Sequence, residues 1–106
     1  MWAVKLNQKN IYKQLKTVID PETGIDLVGM GLFYDVRADE GKVFIKMTLT
    51  SPGCPLVDLF LDQIRESLGV FVGLDTKRDV EIEITFDPPW VPDMMDEEVR
   101  AELGLD

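Results

Sequence analysis

Apolar residues in this chain change period in a fixed order, and that order restricts the fold more than any other feature. Over 32–38, Leu32, Tyr34 and Val36 recur at every second position, and over 42–49 Val43, Ile45, Met47 and Leu49 do the same. Period two marks a strand with one buried side. Asp39-Glu40-Gly41 between the runs carries turn chemistry, so they are expected to pair as a hairpin. From Pro55 to Leu68 the period lengthens, and Leu56, Leu59, Phe60, Ile64 and Leu68 fall on one helical stripe. A third alternating run, Asp79 to Phe86, sets Val80, Ile82, Ile84 and Phe86 against Glu81, Glu83 and Thr85. The helix therefore joins the second strand to the third, and a right-handed crossover is expected if those strands run parallel.

The flanks add two helices. Ile11, Leu15, Val18 and Ile19 share one helical face behind Asn7, a suitable N-cap, and the helix is expected to stop near Asp20-Pro21. Before it, Trp2, Val4 and Leu6 alternate as a short extended arm. Asp87-Pro88-Pro89-Trp90 ends the third strand. Asp96 then caps a last helix, with Glu97 and Glu98 in its first turn and Gly104 beyond its end. The 70–78 stretch fits either a continued helix or a long loop. The fold expected over 1–106 is a single α+β domain, an α/β two-layer sandwich. It has a small mixed three-stranded sheet with helices packed on one face, in the order α-β-β-α-β-α.

Composition removes whole classes of function. The net charge of −9 and scattered basic residues argue against nucleic acid, which is bound through clustered Lys and Arg. No apolar run approaches the ~20 residues of a membrane span, and Met1-Trp2-Ala3-Val4-Lys5 lacks the form of a secretory signal. The expected address is the cytoplasm. With no histidine, Ser-His-Asp and Cys-His catalysis and His-ligated metals are ruled out. A lone cysteine forms no intramolecular disulfide and cannot supply a four-ligand zinc site.

That cysteine stands in Thr48-Leu49-Thr50-Ser51-Pro52-Gly53-Cys54-Pro55, between strand and helix. Pro55 suits a first helical position, which makes Cys54 the N-cap, where unpaired N–H groups and the helix dipole favour thiolate. The plain alternative is a small buried apolar residue. Thr48 and Thr50 are expected on one face at the strand end, their hydroxyls available to a thiolate or anion, although threonine also simply suits strands. Asp20 and Glu22 offer carboxylates for a hard metal or proton transfer, or else ordinary turn chemistry. Trp90 can close the core or anchor an interface. Met94 and Met95 are taken as packing at the helix entry rather than soft metal ligands. Phe33, Asp35, Arg37, Phe44, Lys46 and Glu83 are expected on the sheet face away from the helices. Asp35 and Lys46 are a candidate cross-strand pair there, and Phe33 and Phe44 candidate interface residues.

Four motifs in order, Asp20-Pro21-Glu22, Gly31-Leu32, Met47-Thr48-Leu49-Thr50 with Cys54-Pro55, and Asp87-Pro88-Pro89-Trp90 before the closing helix, resemble the SufT/PaaD (MIP-eighteen type) family. The resemblance runs from about Asn7 to Gly104. It implies a domain of the iron–sulfur cluster assembly type without hydrolase or transferase chemistry. Its partners are assembly machinery or client apoproteins, and its functional cluster is Asp20, Glu22, Thr48, Thr50 and Cys54. It also implies a transient iron–sulfur cluster or iron at Cys54, shared with another chain or partner and held stably by no single chain. Clusters take four ligands, so either a homodimer or a client completes the set.

Four departures qualify the resemblance. No C-terminal cysteine-rich extension is seen, which favours the SufT-like over the PaaD-like branch, and no P-loop ATPase is fused. Val91 stands where threonine is common, and 70–78 looks long. The leading expectation is a non-enzymatic accessory of iron–sulfur assembly. The alternatives are a PaaD-like adaptor of a multicomponent phenylacetyl-CoA oxygenase and, below it, a thiol enzyme.

Overall fold

A computed structural model describes residues 5–21, 23–50, 57–102 and 104. Helix α1 spans Gln8–Leu15, and Asn7 caps it by accepting from the Asn10 N–H at 2.8 Å. Strands β1 (Phe33–Asp39) and β2 (Lys42–Met47) form the hairpin, α2 spans Val57–Ser67, β3 is Val80–Ile84, and α3 is Glu97–Glu102. The sheet order is β1-β2-β3, with β1 antiparallel and β3 parallel to β2, as a hairpin followed by a helical crossover requires.

One face of the sheet carries the core. Val36, Val43, Ile45, Met47 and Val80 are buried against Ile11 and Leu15 of α1 and Phe60 and Ile64 of α2, with Leu68 beyond it. The alternation is clearest in β2, where Val43, Ile45 and Met47 are buried and Lys42, Phe44 and Lys46 exposed. The hairpin closes through Glu40 and Gly41, both at positive φ (49° and 76°), the geometry of a two-residue turn that follows the strands' twist.

Several expectations are corrected. The first helix ends at Leu15, not near Asp20. Thr17-Val18-Ile19 is a β-branched run, and its backbone pairs elsewhere: Leu27 N–H donates to the Val18 carbonyl (3.0 Å), and Asp20 N–H to Ile25 (2.9 Å). Val18 is buried, but Ile19 is 43% exposed and leaves the helical face assigned to it. Leu59 is also exposed, at 41%, because the buried stripe of α2 runs through Phe60 and Ile64. The stretch after α2 takes the loop alternative rather than a continued helix. A 3₁₀ turn, Leu68–Val70, leads into turns braced by Arg65, whose Nη1 donates to the Thr76 (2.7 Å) and Val80 (2.8 Å) carbonyls.

The register of β1 shifts between Phe33 and Asp35. This irregularity changes which side the preceding residue faces, so Phe33, expected on the open face, is half-buried and packs against the core. Asp35 does stand opposite Lys46, yet its carboxylate pairs with Arg37 Nε at 2.9 Å, while Lys46 reaches Glu83 at 3.9 Å. Phe44 remains on the open face, 38% exposed.

Candidate functional site

The parallel strands β2 and β3 end together, and this carboxyl end of the sheet is where α/β folds gather ligand-handling groups. Beyond β2, Thr48 N–H donates to the Leu32 carbonyl at 2.8 Å. Leu32 N–H reaches Leu27 (3.3 Å), and Leu27 N–H reaches Val18 (3.0 Å), two residues before Asp20. Three backbone bonds thus tie the Asp20 loop to the end of β2. The loop is itself closed by Gly24 N–H donating to the Asp20 carbonyl at 2.8 Å.

The candidate residues differ in their surroundings. Thr48 is fully buried, and its Oγ1 lies 3.4 Å from the Leu49 carbonyl, near the long limit of a hydrogen bond. Asp20 is 8% exposed. Thr50 is exposed where Thr48 is buried, so the two hydroxyls lie in different surroundings. The ladder stops at Met47, and Met47, Thr48 and Leu49 are all buried, which ends the alternation before it reaches Thr50. Cys54 and Glu22 lie outside the described residues, as do Pro55, Leu56 and the Trp2 and Val4 positions of the arm. Among the described residues, no group of three or more His, Cys, Asp or Glu is placed to hold a metal ion.

The 26–32 loop is the part that sequence reasoning missed. Trp90 Nε1 donates to the Met30 carbonyl at 2.7 Å, and Asp96 N–H to the Gly29 carbonyl at 2.9 Å. Gly29 N–H in turn donates to Asp26 Oδ2 at 2.8 Å. Trp90 is half-buried and packs against the core. Gly31 has φ 77°, and a Cβ there would collide with the Met94 carbonyl. The Gly29-Met30-Gly31 spacing was the available signal, for it marks a close backbone approach as well as a strand entry. Tyr34 completes the clasp: its hydroxyl donates to the Pro88 carbonyl at 2.8 Å and lies 3.5 Å from Met94 Sδ.

The opposite end is electrostatically organised. Arg78 holds the Asp79 carboxylate by hydrogen bonds of 2.9 and 3.1 Å, and Asp75 N–H adds a third at 3.0 Å. Together they pull the Asp79 carboxyl down to about 2. Asp75 is lowered by the N–H groups of Arg78 and Lys77, which it accepts at 3.1 and 3.0 Å. No helix among the described residues is long and apolar enough to cross a membrane.

Comparison with known proteins agrees with this geometry. An auxiliary factor of Fe–S protein maturation from Bacillus subtilis, YitW, is 41% identical over 99 residues, covering 92% of this chain and 94% of its own. The Staphylococcus aureus auxiliary factor SufT is 43% identical over 89 residues, covering 83% and 98%. A crystal structure of a domain of unknown function from Bacillus anthracis superposes with a TM-score of 0.81 at 34% identity, covering 93% and 92%. The profile of the iron–sulfur cluster assembly protein family matches residues 8–84. From the Asn7-capped helix through the last residue of β3, this chain belongs to the iron–sulfur cluster assembly protein family.

Proposed function

We propose that this protein is a non-enzymatic accessory factor in iron–sulfur cluster assembly or insertion, handling the cluster or its iron as cargo through Cys54. One observation carries the reading: relatives named as Fe–S protein maturation auxiliary factors share 41% and 43% identity with it over nearly their whole length. The chemistry of Cys54 supports the rest. Thiolate is the usual cluster ligand, and one cysteine per chain leaves the other ligands to a client apoprotein or a second copy. Incomplete ligation suits a factor that passes its cargo on. In this reading the Thr48 and Thr50 hydroxyls and the Asp20 and Glu22 carboxylates shape the surroundings of the thiolate and of the incoming partner. The partners are assembly proteins or client apoproteins, met in the cytoplasm.

Replacement of Cys54 by alanine tests it. In cells lacking the native copy, Cys54→Ala is expected to fold yet fail to restore the activity of iron–sulfur enzymes. Anaerobic reconstitution with iron and sulfide should give charge-transfer absorption with the wild type and none with the variant. Full complementation by Cys54→Ala would overturn the proposal. Thr48→Val asks the same of the buried hydroxyl, since the swap nearly keeps shape and should change stability by less than about 1 kcal/mol. Loss of enzyme maturation with an unchanged melting temperature would assign the hydroxyl to function.

A further inference from the structure

Two edges bound the sheet, and they are finished differently. On β1, Gln8 Nε2 donates to the Val36 carbonyl at 2.8 Å, so the first residue of α1 engages that edge strand. On β3, two bonds settle which way the backbone faces. Val43 N–H donates to the Asp79 carbonyl and Thr85 N–H to the Met47 carbonyl, each at 2.8 Å. Backbone polar groups in a parallel pair alternate sides residue by residue, so Asp79, Glu81, Glu83 and Thr85 bond to β2 while Val80, Ile82 and Ile84 face outward. Arg65 takes the Val80 carbonyl. The outward N–H and C=O groups of Ile82 and Ile84 have no partner among the described residues. Beyond β3 the chain crosses away toward β1, where Tyr34 holds Pro88.

We propose that this edge of β3 accepts an extended segment of a partner protein as a fourth strand, one with Lys or Arg at alternate positions and apolar residues between. Strand addition of this kind takes its hold from main-chain bonds and its selectivity from alternate side chains. Both elements are present. Glu81 and Glu83 point to the open face: Glu81 stands opposite Phe44 and makes no ion pair among the described residues, and Glu83 has only the exposed 3.9 Å contact with Lys46. On the other face Ile82 and Ile84 are half-buried against the core, and Phe86, two residues past the strand, is 39% exposed. A segment laid along β3 therefore meets carboxylates on one side and apolar surface on the other.

A second copy of this chain is a poor occupant. Antiparallel pairing centred on Ile82 would set Glu81 of each copy across from Glu83 of the other, and each chain carries a net charge of −9. Opposite charge is what the edge selects, and its short free length suits a partner that docks and leaves. This inference is independent of Cys54, for it concerns how a partner docks rather than what is transferred.

The test is a titration of the ¹⁵N-labelled chain at low salt with a capped octapeptide of alternating lysine and valine. Binding should move the Ile82 and Ile84 amide resonances most. Glu81→Lys/Glu83→Lys, at two exposed positions, should keep the dispersion of the spectrum and weaken binding about tenfold. Methylating alternate peptide nitrogens, which blocks the edge bonds but keeps the charge, should cost about as much. The proposal is overturned if no saturable shift develops, if the largest shifts lie elsewhere, or if the methylated peptide binds equally well. It is also overturned if the wild type sediments as a dimer whose Ile82 and Ile84 amides are protected from exchange.

Discussion

The two ends of the sheet are held by different means. At the hairpin end the bonds are mostly local. Glu40 and Gly41 turn the chain, Asp75 accepts from residues two and three further on, and Asp79 reaches back four residues. At the carboxyl end the bonds are long-range: Tyr34 to Pro88 and Trp90 to Met30 join residues 54 and 60 apart. The first end needs only the hairpin and the 75–79 turn, joined by the Val43 N–H to Asp79 carbonyl bond. The second requires the sheet, the 26–32 loop and the C-terminal segment to arrive together, and the candidate residues Thr48 and Asp20 belong to it. Local bonding shapes the rim within its own turns; long-range bonding makes the candidate site depend on the whole fold.

If this contrast is right, damage at the carboxyl end should cost most. Gly31→Ala combines an unfavourable φ with a backbone collision, and urea unfolding should show a loss of about 3 kcal/mol. A loss no larger than that of a hairpin-turn substitution would break the comparison. Arg65→Met is next, since it leaves the Thr76 and Val80 carbonyls without their charged donor while keeping the aliphatic stem. Its expected cost is about 2 kcal/mol. Gly41→Ala should cost about 1 kcal/mol, because only its φ of 76° opposes a side chain and open space surrounds the position.

The smallest effect belongs to Asp79, whose partner Arg78 is exposed and screened by solvent. The folded-state carboxyl is depressed from 3.8 to about 2, so the stability it contributes is present above 3.8 and lost as pH falls toward 2. Asp79→Asn should therefore flatten the acid limb of the stability curve in that window, read by thermal melts across pH. An unchanged limb would show that the Arg78 pairing adds nothing.

Legibility in the sequence follows the same division. The hairpin turn, the Asn7 cap and the buried alternation of β2 were readable because each rests on a few adjacent residues. Ile19 and Leu59 were misplaced because periodicity cannot say where a helix stops or how wide its buried stripe is. The β-branched run at Thr17 favours pairing with 25–27 only once that loop is near. Phe33 was put on the wrong face because strict alternation has no place for the register shift beside Tyr34. Asp35 was matched to Lys46 correctly in register, yet Arg37 on its own strand offers the better geometry. At the candidate site, motif spacing brought Thr48 and Asp20 forward, but it could not say that the ladder ends at Met47 and leaves Thr48 buried and Thr50 exposed.

What the sequence determined alone is the order of elements, the hairpin, the core face of β2 and the family resemblance, because period, turn chemistry and motif spacing are properties of short segments. Only the tertiary structure decided that the 26–32 loop is the clasp of the carboxyl end, that Arg65 braces the stretch after α2, and that β3 keeps an open edge. Each depends on a hydrogen bond between distant residues, or on the lack of one, and no local pattern records which carbonyl a remote indole, guanidinium or hydroxyl will find.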